Sequence, residues 1–254
     1  MAAVRYEVRG DAAKDVAWIT LDQPERRNAL SDALVGELRE HLATALAAPE
    51  VRAVVLTGAG PAFCAGADLK SGGISAADNP FVEVLKTLWE APKPIIGRIN
   101  GHAFGGGVGL VAACDLTVAA DSAVFAFSEV RVGVIPAMIS VLCVRKLGVQ
   151  AAMWLFLTGE RFSAARAVEL GLVHRAVPAD GLDAAVEEVL ALVRLGGPNA
   201  VREAKQLVRR IPELSVEEGF RWTATKIAEL FASEEAAEGM RAFVEKRAAK
   251  FIGR

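Results

Sequence analysis

Only three cysteines, three histidines and one tyrosine occur among 254 residues, and each shortage removes a class of chemistry. Cys64, Cys114 and Cys143 are odd in number and sit among apolar or small residues, which predicts reduced, buried thiols and not a disulfide framework. His41, His102 and His174 are scattered, with neither Cys-x-x-Cys nor His-Glu-x-x-His spacing, so no metal site is expected. No long basic run is present and the net charge is -2, which argues against a nucleic-acid surface. The N-terminal residues Met1 to Glu7 hold no apolar segment of the signal-peptide kind. The most apolar stretch, Val132 to Val144, is too short to span a bilayer and contains Pro136. A soluble, cytoplasmic protein without membrane contact is the expectation.

Glycine, by contrast, is placed with purpose. An apolar strand, Pro94 to Ile99, runs into Gly105-Gly106-Gly107, and a small apolar helix, Val108 to Cys114, follows. Residues without side chains let a ligand approach the main chain, and a helix start presents unpaired N–H groups and positive potential there. That combination suits an anion, or a carbonyl oxygen that gains negative charge during a reaction. A dinucleotide turn is excluded because the last glycine of Gly-x-Gly-x-x-Gly falls on Leu110. A phosphate loop lacks its Gly-Lys-Ser/Thr ending, and no Gly-x-Ser-x-Gly nucleophile elbow occurs. A tight turn that merely allows close helix–strand packing is the rival explanation.

A second loop of the same kind lies upstream. Strand Val51 to Thr57 leads to Gly58-Ala59-Gly60-Pro61-Ala62-Phe63-Cys64-Ala65-Gly66-Ala67-Asp68-Leu69-Lys70, where Asp68 can brace the backbone. Two loops can each give one N–H, the minimum for an oxyanion hole with two donors.

Length and composition, 53% apolar and 24% charged, fit one large globular domain or a domain with an appendage. Strands are predicted at Val16–Leu21, 53–56, Ile95–Ile99 and 116–119, alternating with helical patterns, which indicates α/β with mostly parallel pairing. Ser31 caps a helix with apolar Leu34, Val35, Leu38, Leu42 and Leu46. The stretch Ser71 to Pro80 is the least patterned and reads as a mobile lid or a plain surface loop. Beyond about residue 178 the pattern is helical. Ser215-Val216-Glu217-Glu218 forms a capping box ahead of Val216, Phe220, Ile227, Leu230 and Phe231, and a further amphipathic stretch spans Glu234 to Phe251. Such faces pack either on the chain's own core or on another subunit.

Phe63-Cys64-Ala65-Gly66-Ala67-Asp68-Leu69, then Gly105-Gly106-Gly107 and Cys114-Asp115, resemble the enoyl-CoA hydratase/isomerase (crotonase) superfamily. The resemblance runs from Asp22-Gln23-Pro24 and Arg27-Asn28-Ala29-Leu30 to Phe243-Val244-Glu245-Lys246-Arg247. It implies a crotonase-like spiral of ββα turns over residues 1–195 and a helical region over 196–254 that packs on the core and on neighbouring subunits. Homotrimers, or dimers of trimers, are implied with it.

Position-matching to the family implies that the N–H groups of Ala67 and Gly106 hold a thioester oxygen and that Glu129 carries the proton. Glu129 is expected at a strand end in apolar company, where burial lifts its pKa; without the resemblance, an ion pair with Arg131 would be preferred. The family's second glutamate falls on Gly109, so Glu129 must work alone or with a loop residue such as Asp78 or Glu83. The segment Ser128 to Ser140 is similar to bacterial hydratases of the methylglutaconyl-CoA type, which implies hydration of an enoyl-CoA. A Δ3,Δ2-enoyl-CoA isomerase using Glu129, or a non-catalytic acyl-CoA-binding member, are the alternatives. The resemblance further implies CoA contacts at Arg26, Arg27, Ala65, Asp68, Leu69, Lys70, Gly105, Gly109, Phe243 and Lys246, although for the charged positions a solvated surface role is the simpler assignment. Coenzyme A belongs to the substrate, and no separate cofactor is expected. Ser71 to Pro80, Trp89, Met138 and residues from the C-terminal helices are expected to shape the acyl pocket.

Overall fold

The computed structural model describes residues 2–10, 15–68 and 79–252. Its six-stranded sheet has the order β1 (Val4–Arg9), β2 (Val16–Leu21), β3 (Ala53–Gly58), β5 (Ile95–Ile99), β7 (Leu116–Ala120), β10 (Arg175–Val177). Only β1 runs antiparallel, pairing Val4 with Leu21; β2, β3, β5, β7 and β10 are mutually parallel. A smaller sheet stacks β4 (Ala62–Cys64), β6 (His102–Phe104), β8 (Val124–Ala126) and β9 (Arg161–Ser163), with β4, β6 and β8 parallel.

The chain visits the two sheets in a repeating order. β3 lies in the large sheet, β4 in the small one, and α2 (Pro80–Glu90) follows. β5, β6 and α3 (Gly106–Ala113) repeat the pattern, as do β7, β8 and α4 (Ala137–Thr158). These are the ββα turns of the expected spiral. Each turn leaves the small sheet at the C-terminal end of a parallel strand, so three successive loops emerge side by side. Ligands in parallel sheets bind outside those ends.

Both faces of the large sheet are covered, which is why β2 and β3 are buried at every position and lack the polar alternation of a one-sided sheet. Val16, Trp18, Val55 and Ile96 pack against Leu182, Val186 and Leu190 of α6 (Leu182–Arg194). Ile19, Leu21, Val54, Leu56 and Ile99 face the other way, into the main core with Leu34, Leu38 and Leu42 of α1 (Asp32–Ala47). Ser31 caps α1 by accepting from the Leu34 N–H.

The expected loop up to Pro80 ends sooner: Asn79 accepts from the Phe81 N–H and Pro80 is the first helical residue of α2. Residues 71–78 lie outside the described residues, and with them the predicted lid and Asp78. Glu83 is on α2 and exposed, not in a loop.

The apolar run after Val132 is longer than the sequence suggests, since α4 extends to Thr158 with a mean hydropathy of 1.4. Gly148 (φ 74°, ψ 163°) breaks it into two pieces. Neither piece approaches the about 20 continuous residues of a membrane span.

After α5 (Ala164–Glu169) and β10, the chain is helical: α6, α7 (Pro198–Arg210), α8 (Val216–Phe231) and α9 (Glu234–Val244). The Arg52 guanidinium ties this region to the sheet by donating to the carbonyls of Arg194, Gly196 and Phe251. The capping box at Ser215 and Glu218 forms as predicted. Phe220, Ile227 and Phe231 are not part of the chain's own core; they are 73%, 52% and 60% exposed.

Candidate functional site

Ala67, Gly106 and Glu129 follow the ends of β4, β6 and β8, three adjacent parallel strands. Their meeting is therefore a property of the ββα repeat. Gly105 adopts φ 49°, ψ -118°, a conformation open to glycine alone, and it turns the chain from β6 into α3. Gly106 is the first residue of α3, so its N–H has no acceptor within the helix.

The first loop is pressed against this turn. A Cβ built on Gly66 would lie 3.3 Å from the Gly106 nitrogen and 2.6 Å from the Phe104 carbonyl oxygen. A Cβ on Gly107 would stand 2.2 Å from the Cys64 carbonyl oxygen. Real contacts of that kind are impossible, so Gly66 and Gly107 are what let the two backbones touch. Leu30 forms a parallel bridge with Ala67 in which its N–H donates to the Gly66 carbonyl at 2.8 Å. The bridge thus uses the carbonyl before Ala67 and leaves the Ala67 amide out of that bond.

Glu129 is not at the end of a strand. It opens a single 3-10 turn, Glu129–Val132, just beyond β8. That turn aims its carboxylate at the second loop: a Cβ on Gly105 would be 3.0 Å from Glu129 Oε1. Oε2 is buried and has no hydrogen-bond partner among the described residues. Burial pushes the carboxyl above its ordinary pKa, with its own backbone N–H acting in the opposite direction. Arg131, the alternative ion-pair partner, reaches instead for the Thr158 carbonyl.

Two loops, one α-helix start and one carboxylate raised by burial make a place for a carbonyl whose oxygen becomes negative while a proton moves beside it. The family model described as enoyl-CoA hydratase/isomerase matches residues 11–254. The chain belongs to the enoyl-CoA hydratase/isomerase family. It is 37% identical over 244 residues to the mitochondrial enoyl-CoA hydratase of Pongo abelii, covering 93% of this chain and 83% of the relative. The fold matches the crystal structure of an enoyl-CoA hydratase from Mycobacterium smegmatis with a TM-score of 0.90 at 34% identity, over 98% of both chains. An enoyl-CoA hydratase from Bacillus anthracis aligns with a TM-score of 0.89 at 32% identity, over 99% of this chain and 100% of that one. The architecture is thus the crotonase fold.

Against this family background, Gly109 is more than a missing side chain. A Cβ there would lie 2.2 Å from Ile139 Cγ2 and 2.9 Å from Ile139 Cβ. Ile139, 3% exposed on α4, has taken the space into which residue 109 would project. That place is therefore filled by an apolar side chain, and the thiol of buried Cys143, one turn further along α4, is raised chiefly by burial and in lesser part by the Glu129 carboxylate.

The remaining sequence candidates separate. Arg26 is ion-paired with Asp68, which fastens the 3-10 turn at Pro24–Arg26 to the first loop. Arg27 is exposed and left-handed (φ 53°), and its carbonyl accepts from the Ala65 N–H at 3.0 Å. Leu69 and Lys70 lie outside the described residues. Phe243 and Lys246 are exposed near the end of α9, Phe243 by 85%. Trp89 does not shape the region around Gly106; it sits at the far end of α2 with the Arg209 guanidinium 4.1 Å above its ring. Phe81, at the near end of α2, faces Gly106 together with Leu30. Among the described residues no group of three His, Cys, Asp or Glu could hold a metal ion.

Asn28 is a further residue of the site, not singled out by the sequence pattern. Fully buried at φ 55°, it donates to the carbonyls of Ala59, Ala62 and Phe63 at 2.9–3.2 Å and accepts from the Gln23 N–H at 2.9 Å. It is the peg on which the first loop hangs. An asparagine at a turn just before a helix cap was the available signal.

Proposed function

We propose that this chain is an enoyl-CoA hydratase that adds water across the C2–C3 double bond of an acyl-CoA thioester. The thioester oxygen accepts from the N–H groups of Ala67 and Gly106 at about 2.7–3.1 Å. Glu129 takes a proton from water as the water oxygen bonds to C3, which drives charge onto the thioester oxygen. The same carboxyl then returns the proton to C2, so both additions occur on one face. The observation that carries this proposal is the buried Oε2 of Glu129, without a hydrogen-bond partner among the described residues, beside the Gly105–Gly106 turn.

The CoA portion is held along the first loop by Ala65, Asp68, Leu69 and Lys70, with the acyl end passing the main chain of Gly105 and, at Gly109, meeting the Ile139 side chain packed there. Arg26 and Arg27 answer its phosphates, and Phe243 and Lys246 reach it from a neighbouring subunit. Assembly as a homotrimer or a dimer of trimers, through the exposed apolar residues of α8 and α9, makes that reach possible. The reaction uses no cofactor beyond the CoA already on the substrate. A cytoplasmic enzyme without membrane or nucleic-acid partners fits these assignments, and the methylglutaconyl-CoA type is the subtype favoured by Ser128 to Ser140.

One observation favours a second assignment. With Ile139 packed on Gly109, an apolar side chain fills that place and Glu129 is a lone carboxylate, which suits a Δ3,Δ2-enoyl-CoA isomerase that shuttles one proton between carbons. A non-catalytic acyl-CoA-binding member is the third outcome. Crotonyl-CoA hydration followed by absorbance, with mass analysis of products from 2-enoyl and 3-enoyl esters, separates the three. Glu129→Gln is expected to lower hydration about 10²–10⁴-fold while binding of a saturated acyl-CoA persists. Hydration that survives in this variant removes Glu129 from the mechanism.

A further inference from the structure

A cavity of about 670 Å³ lies between α7, the ends of β5 and β7, and the C-terminal end of α3. Because α3 is eight residues long, it sits about 12 Å along the helix axis from Gly106. Four cations line it, Arg145, Lys146, Lys205 and Arg209, against a single carboxylate, Asp115.

The bonds of that carboxylate are already committed. Oδ2 takes Lys205 Nζ at 2.7 Å and the Ile95 N–H at 2.7 Å, and Oδ1 takes Arg209. Lys146 instead caps α3, donating to the Cys114 carbonyl at 2.7 Å. Arg145, also on the rim, is paired with Glu213 at 3.3 Å. His174 engages Thr117 through Nδ1 and adds no negative charge. Arg209 Nη1 is left buried without an acceptor among the described residues. Burial drives Lys146, Lys205 and Arg209 all below their ordinary pKa values. Excess buried positive charge with an unpaired donor is costly and calls for a counter-ion.

The rest of the wall is apolar, supplied by Trp89, Val193, Val201, Ala204 and Pro212. We infer that this cavity binds an aliphatic carboxylate, with its head between Arg209 and Lys205 and its chain along α7. The charge excess selects an anion, and the walls select one with a tail over a bare inorganic ion. Nothing in the hydratase assignment depends on this site.

Sodium octanoate, titrated calorimetrically into the full chain, is the probe, with 1-octanol and inorganic phosphate as controls. Octanoate is expected to bind at least about tenfold tighter than either control. Arg209→Met, and separately Ala204→Phe at an exposed position of α7, are each expected to weaken octanoate at least about tenfold, the first by removing the unpaired donor and the second by filling the apolar part. Saturating CoA should leave octanoate binding unchanged. Equal binding of phosphate or octanol, retained affinity in both variants, or displacement by CoA would each overturn the inference.

Discussion

Burial raises the Glu129 carboxyl above its ordinary pKa, and one of its oxygens has no hydrogen-bond donor among the described residues. Its pKa in the fold is above the ordinary value of 4.5, so the native state holds the proton over a pH range where the unfolded chain has lost it. Stability from this group is complete below 4.5 and disappears as pH rises through the raised value. Glu129→Gln, which cannot ionise, should therefore melt higher than the wild type at pH 8, with the difference closing towards pH 4.5 in a calorimetric series. The acid limb of kcat/KM for the wild type should have its midpoint above 4.5. An equal melting temperature at pH 8 would show that the carboxylate is solvated. Asn28 is the converse case, a polar side chain whose burial is fully compensated. Asn28→Ala strands three carbonyls and one N–H, at about 3 kcal/mol in urea unfolding. Its turnover should fall as well, because the first loop loses its anchor. The sequence displayed Glu129 and both glycine loops but not Asn28, whose three carbonyl partners are 31 to 35 residues away.

At the scale of elements, long segments were legible and short ones were not. α1 and the strands β2, β3, β5 and β7 carry enough apolar residues for period and composition to speak. The strands β4, β6 and β8 are three residues each, too short for any period, yet they set the site by lying side by side. The spiral was accordingly available only through family resemblance. Ile139 filling the place beside Gly109 is a contact between α3 and α4 that no local pattern encodes. The glycines test this view of the junction. Gly107→Ala puts a Cβ against the Cys64 backbone, where no side chain can swing aside, so the first loop and α3 must part. A loss of about 3 kcal/mol and a hundredfold fall in kcat are expected, judged by urea unfolding and the crotonyl-CoA assay. Gly36→Ala, within α1 and with nothing within 4 Å of the new methyl, should instead gain about 0.5–1 kcal/mol and leave kcat alone. Matching losses in the two variants would mean that the close approach at Gly107 is unimportant.

For the whole molecule, the decisive feature is apolar surface that the chain does not cover. Phe220, Ile227 and Phe231 on α8 join Phe243 and Val244 on α9, the last two 85% and 79% exposed. The capping box and the amphipathic spacing revealed both helices, but helical periodicity cannot say whether an apolar face meets its own core or another chain. Exposure in the folded chain decides against its own core, and we propose that these residues meet another copy of the chain. Sedimentation equilibrium should give three or six chains per particle, and the paired change Phe220→Glu with Phe231→Glu should shift the protein to smaller species. If Phe243 and Lys246 serve the neighbour's CoA, the dissociated variant should show KM for acyl-CoA raised at least about tenfold, with the α/β core still folded by circular dichroism. A dissociated variant with an unchanged KM would confine CoA binding to residues within one chain, such as Arg26, Arg27 and the first loop, and would reduce the C-terminal helices to a purely structural role.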